Sequence, residues 1–162
     1  MGTNNVKSLF EYNWTIREKW LEWCKGISEE ELLKERIGGY KGILHTLFHI
    51  VDVEQRWMRG LSKEVPVKYN FRDYNTLDDV INFSKTTKEY SLNFIENSNG
   101  NLGNERFHSV NKQGEKVSFA YIEVLLHITV HEVHHIGQLS VWAREIGKEP
   151  ISANLIGLNL FV

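Results

Sequence analysis

In 162 residues there is one cysteine, Cys24. That excludes an internal disulfide and any cysteine-built zinc cluster. Cys24 itself reads as a small buried hydrophobe. A basic stripe is also missing. Nineteen Lys and Arg stand interspersed with 21 Asp and Glu, for a formal net charge of −2. Nucleic-acid binding therefore has no electrostatic footprint. No run is long and apolar enough to cross a bilayer. The N-terminal MGTNNVKSLFEYNW lacks the basic-then-apolar shape of a secretion signal. The expectation is a cytoplasmic protein with neither nucleic acid nor membrane as partner. Proline is scarce as well: only Pro66 and Pro150 interrupt the chain.

What is there, between the breakers, is a series of long amphipathic stretches. They predict an all-α four-helix bundle, one domain over residues 1–162. The first helix runs from about Asn4 to Lys25 with an aromatic face. Phe10, Trp14 and Leu21 form one row, with Leu9, Ile16, Trp20 and Trp23 beside it. Gly26 stops it. Ser28 and Glu31 mark a short extra helix, with Ile27 placed to staple onto Leu32, ending near Gly38-Gly39. The second long helix begins near Lys41, carries GILHTLFHIVDVEQRWMRGL and frays around Gly60, with Pro66 beyond. Thr76 with Asp79 caps a third long helix, Leu77 to Glu96, which Asn97-Ser98-Asn99-Gly100 terminates. Arg106 to Ser118 reads as a loop or small hairpin with its turn at Asn111-Lys112-Gln113-Gly114. The fourth long helix runs from about Ser118 to Ile146, ended by Gly147 and Pro150. The apolar tail ISANLIGLNLFV is expected to pack on the bundle or on a partner.

Four of the seven histidines fall in HITVHEVHHIGQL, on the fourth helix. At about 100° per residue, His127, His131 and His135 stack along one face. His131 and His135 share theirs with Val124, Ile128, Leu139 and Trp142, so they point toward the core. A buried imidazole needs partners on its nitrogens. A metal ion is the economical partner for several at once. It takes one nitrogen from each and leaves the other for an outer acceptor. On the second long helix, His49 in LFHIV is likewise set among apolar neighbours. His49, His131 and His135 therefore make a candidate three-His site. Without a fourth protein ligand a coordination position stays open, which is the logic of a catalytic centre. Imidazole suits zinc and nickel, and also iron and copper.

The other candidates rank lower. His45 and His127 could be ligands, outer residues or surface residues, the last two readings ahead of the first, and His134 reads as a rim or surface residue. His108, in the loop, carries no assignment. Trp57 and Trp142 are core first and pocket wall second. Asp52 and Glu132 are the nearest carboxylates for moving protons. His131 to His135 also matches H-E-x-x-H, with Glu132 as the base of a metalloprotease. Against that, Gly137 comes too early for the longer form of the motif and no third His follows. Glu145 and Glu149 lie on or just beyond the same helix, too close to fold back on the metal, and no convincing strands precede it to form a protease sheet. Glu132-x-x-His135 fits a di-iron half-site once, with no second copy.

The string H-x3-H-x2-HH-x-GQ, here HITVHEVHHIGQL, resembles the signature of the DinB/YfiT-like family. The segment GILHTLFHIVDVEQRWM resembles that family's second long helix. The likeness extends over nearly the whole chain, in helix order, in the long connection before the fourth helix and in REIGKEP after it. It implies a four-helix bundle, a homodimer and a divalent metal, zinc or nickel. The metal would be held by one His from the second long helix and two from the fourth: by position His49, His131 and His135. One departure is Ile136, where many relatives carry Arg. Branches of the wider superfamily include mycothiol-dependent isomerases and bacillithiol S-transferases. The resemblance thus implies a metal-dependent enzyme acting on a small molecule with a low-molecular-weight thiol as co-substrate, in stress response or detoxification. A non-catalytic metal-binding stress protein and a metal-dependent hydrolase of a small substrate are the alternatives. The family's name, from DNA-damage-inducible relatives, implies no DNA binding.

Overall fold

A computed structural model describes residues 3–65, 67–98, 102 and 104–161. Its elements are α1 (Thr3–Cys24), α2 (Glu29–Leu33), α3 (Ile43–Leu61), a 3-10 turn (Phe71–Asp73), α4 (Leu77–Asn97), β1 (Arg106–Val110), β2 (Lys116–Ala120) and α5 (Tyr121–Glu145). The four long helices form the expected bundle: α3 packs on α4 and α5, and α1 packs on the same two. Pro66 and the Asn99-Gly100 pair, expected as breakers, lie outside the described residues, as does Val162 at the end of the tail. No helix among the described residues is long and apolar enough to cross a membrane.

Local chemistry sets several boundaries as read. The Ser28 hydroxyl accepts from the Glu31 N–H (3.3 Å) and starts α2. The Thr76 hydroxyl accepts from the Asp79 N–H (3.2 Å) and starts α4. Elsewhere tertiary contacts move them. The short helix stops at Leu33, not at Gly38-Gly39, because Lys34 turns extended. The second long helix begins at Ile43 rather than Lys41, whose φ of 68° is left-handed. The 34–42 segment is instead a non-helical strap. The fourth long helix begins at Tyr121 rather than Ser118, because the hairpin takes those residues. Antiparallel pairing runs Arg106↔Ala120, Phe107↔Phe119 and His108↔Ser118. Gly60 does not fray α3, which continues to Leu61. Its missing side chain instead admits the Phe107 ring, 3.0 Å from where a Cβ would stand.

Two apolar clusters fill the bundle. One gathers around Trp20, Leu47, Leu139 and Trp142, the other around Phe10, Trp14, Met58 and Leu125. Cys24 is buried in the first, where burial pushes its thiol up to about 12 and keeps it protonated. The tail packs partly on this cluster through Ile151, Leu158 and Leu160. It is tied down by Tyr12 O–H to the Ala153 carbonyl (2.7 Å) and Ser8 O–H to the Leu160 carbonyl (2.5 Å).

Between the clusters sits a buried ionic network. Arg17 of α1 is 0% exposed. It donates through Nε and Nη2 to both oxygens of Glu132 on α5 (2.8 and 2.5 Å) and through Nη2 to Glu54 on α3 (2.5 Å). The other Glu54 oxygen accepts from Trp14 Nε1 (3.1 Å) and from the Ser91 hydroxyl of α4 (2.6 Å). All four long helices therefore meet at one guanidinium. Burial works against the Arg17 charge, but Glu132 and Glu54 outweigh it and hold the group cationic. Burial likewise pushes Glu132 upward, with Arg17 pulling back.

Removing the cation would leave two carboxylates facing each other without water. Such a broken buried pair costs about 3–5 kcal/mol. Urea denaturation of Arg17→Met is expected to show a loss of that order. A change close to zero would mean the network contributes nothing to holding the helices together.

Candidate metal centre

α3 and α5 present the three histidines to one another. His49 Nε2 lies 3.2 Å from His131 Nε2, which lies 3.2 Å from His135 Nε2. One ring nitrogen from each lies within 4.8 Å of the others. Hydrogen bonding alone cannot satisfy this arrangement. The His131 Nε2 has either one proton or one in-plane lone pair, yet two nitrogens press on it. A cation answers all of them. Zinc–nitrogen bonds of about 2.0–2.1 Å at tetrahedral angles place ligand nitrogens roughly 3.3 Å apart, close to the spacing observed. The donor set thus fits a divalent ion, and these three histidines could hold one.

The rings are also prepared for it. His135 Nδ1 donates to Gln138 Oε1 (2.7 Å), which fixes the Nδ1–H tautomer and turns the Nε2 lone pair toward the other two rings. The same Gln138 side chain donates from its amide nitrogen to His134 Nε2 (3.0 Å). Burial, reinforced by the neighbouring His135, lowers His49 to about 4. Burial and the His135 and His49 rings lower His131 to about 3. Burial lowers His135 too, against the Gln138 bond. All three are neutral at neutral pH, the form that binds metal.

The 34–42 strap closes over this centre. The Tyr40 ring stacks on His49, centroids 3.9 Å apart and 6° from parallel. Gly39 makes the crossing possible. Its φ is +59°, and a Cβ there would stand 2.5 Å from the Trp142 ring and 2.8 Å from Gln138 Oε1.

The remaining candidates fall elsewhere. His45 stacks on Phe71 (4.0 Å), and His127 meets the edge of Trp57 (5.7 Å). Neither is among the three converging nitrogens. His134 is an exposed rim residue, and His108 stands exposed on β1. Trp142 is core, and Trp57 is only half-buried. Ile136 is buried in the Trp20 cluster. Asp52 lines a cavity of about 710 Å³ together with His49, and its carboxyl is raised by burial while Arg56 (3.0 Å) pulls it down. Glu132 is a correction. It is turned onto Arg17 with both oxygens and so cannot serve as the proton-moving carboxylate or as an H-E-x-x-H base.

Two contributors escape the sequence reading. Gln138 stood in the quoted motif without a role; its i+3 spacing from His135 and i+4 from His134 was the available signal. Tyr40 had none, because it belongs to no periodic segment.

Comparisons with known proteins agree with one another. The model of the DinB family matches residues 1–159. A protein of Bacillus subtilis (strain 168), Uncharacterized protein YizA, is 42% identical over 155 residues, which span 96% of this chain and 96% of that one.

The depressed ring basicities have a consequence for stability. In the unfolded chain these imidazoles take protons near 6.5, but folded His49 and His131 do so only near 4 and 3. Between those limits the unfolded state binds more protons, so stability falls as pH falls through that window. Urea midpoints of chelator-treated protein are expected to drop steadily from about pH 6.5 downward, and less steeply in His131→Asn. Identical slopes for the two proteins would contradict the buried, neutral state of His131.

Proposed function

The chain belongs to the DinB family, and from that premise we propose that it is a divalent-metal-dependent enzyme. In this reading His49, His131 and His135 hold the ion, and the activity is that of a low-molecular-weight-thiol S-transferase in stress response or detoxification. The observation that carries the reading is the convergence of three neutral imidazole nitrogens, one locked in its tautomer by Gln138. Three neutral protein ligands leave coordination positions for exogenous groups, as in catalytic rather than structural zinc sites. A zinc or nickel ion held by these histidines would supply Lewis-acid polarisation and would lower the pKa of a bound thiol.

The chain's own residues do the rest. Gln138 orients His135, and the Tyr40 ring shields one face of His49 from water. Asp52 lines the adjoining cavity, and its carboxylate, bonded to Arg56 and Gln55, would take a proton from a molecule bound there on giving up one of those bonds. The electrophile would react with the thiol sulfur and lose its leaving group in that cavity.

The assembly in this reading is a homodimer formed through α5. Val130, Val133 and Val141 are exposed on that helix at 65%, 46% and 55%. Gly137 lies among them with open space above it. The spacing is that of one helix face, and its lack of charge suits a second copy of the same face.

Elemental analysis of the untagged protein should find about one zinc or nickel per chain, and none in His131→Ala. Gln138→Leu is expected to weaken metal affinity about 10–100-fold without unfolding the bundle. Thiol-dependent turnover of an electrophile should vanish in His49→Ala; turnover that needs no thiol would favour a hydrolase instead. Light scattering should report a dimer that Val133→Glu converts to a monomer, and a monomeric wild type would remove the dimer from the reading.

A further inference from the structure

The cavity beside His49 has a second feature that the metal reading does not use. Part of its wall is the segment after α3 containing Lys68-Tyr69-Asn70-Phe71-Arg72. In this run the aromatic residues are half-buried and the polar ones exposed. Tyr69 packs on Phe83 (4.7 Å), and Phe71 stacks on His45 (4.0 Å). The Val67 carbonyl accepts from Gln55 Nε2 (2.9 Å), and the Asn70 side chain caps the 3-10 turn through the Arg72 N–H (3.1 Å). The arm is therefore pinned by its aromatics, and Lys68 and Arg72, both exposed, stand on the cavity wall.

Lys41 reaches the same cavity from the 34–42 strap. Among the described residues, none of Lys41, Lys68 and Arg72 forms an ion pair with a carboxylate. Two acids share the wall, Glu35 and Asp52. Asp52 is already engaged by Arg56 (3.0 Å) and Gln55 (3.1 Å). Three uncommitted cations thus face one uncommitted carboxylate, around aromatic surfaces, next to a candidate metal ligand. Charge and shape together select an anion with an apolar body.

We infer that this cavity is an anion-binding subsite, taking the carboxylate or phosphate of the small molecule that reaches His49, with Lys68 and Arg72 as its specificity-determining residues. Tyr40 and Phe71 flank the apolar part of that molecule, and Lys41 adds charge from the 34–42 strap. The inference rests on the proposed function only in assigning the bound anion to the chemistry at the histidines; the subsite itself needs no metal.

The test uses benzoate, phenyl phosphate and the neutral benzamide as probes, titrated into zinc-loaded and chelator-treated protein. Backbone amide shifts report the binding place. At least one anion is expected to bind about tenfold more tightly than benzamide, with shifts concentrated on residues 68–73. Whether benzoate or phenyl phosphate is preferred identifies the anionic group. Lys68→Gln/Arg72→Gln, both at exposed positions, should abolish the preference with zinc content unchanged, while Lys148→Gln behaves as wild type. Equal binding of benzamide and both anions, shifts lying elsewhere, or a preference that survives the double substitution would each overturn the subsite. Protein that selects the anion but takes up no zinc supports the subsite and removes the metal reading instead.

Discussion

Arg17 brings one positive charge to a place without water, and the two carboxylates nearest it come from different helices. An ionic contact of this kind tolerates little slippage. Its energy in a dry interior depends steeply on distance, and each partner left alone would be a buried bare charge. On α1, α3 and α5 alike, the network residue falls between residues of the two apolar clusters. The hydrophobic packing on either side could slide by small amounts at modest expense; the guanidinium between them cannot.

The histidine centre depends on that register. Glu132 immediately follows His131 on α5, and Glu54 lies beyond His49 on the same helix α3. The helices that Arg17 ties together are thus the ones that bring the three imidazoles within reach. On one face of α5 the polar groups are charged and fully paired; on the other they are neutral and converge on each other. The second face is left with lone pairs that no hydrogen-bond donor among the described residues fully answers. That contrast separates the structural polar cluster, which is fully buried, from the candidate functional one, in which His49 and His131 are half-buried.

Much of this was legible beforehand. Helical spacing, together with the Ser28 and Thr76 caps, located the long helices to within a few residues, because capping and amphipathic periodicity are local properties. The three histidines were legible for a related reason. An imidazole among Ile, Val and Phe has no cheap local partner, so its presence at i, i+4 implies a shared one. Glu132 was misread because it sits in the same string as His131. A helix turns about 100° per residue, and one position suffices to face Arg17 instead. The network itself had no local signal: Arg17, Glu54 and Ser91 are far apart in the chain and each is an ordinary helix residue.

The amino-acid sequence by itself determined the helical class, the caps, the hairpin turn and which imidazoles are forced inward, since all of these follow from neighbours within a turn or two. Only the tertiary structure decided what each inward group meets. It set Gln138 on His135, Tyr40 over His49, Gly39 under Trp142 and the Lys68–Arg72 arm along the cavity. Those contacts join segments with no common periodicity. The energy that selects them is the burial of surfaces that come together only when the whole bundle closes.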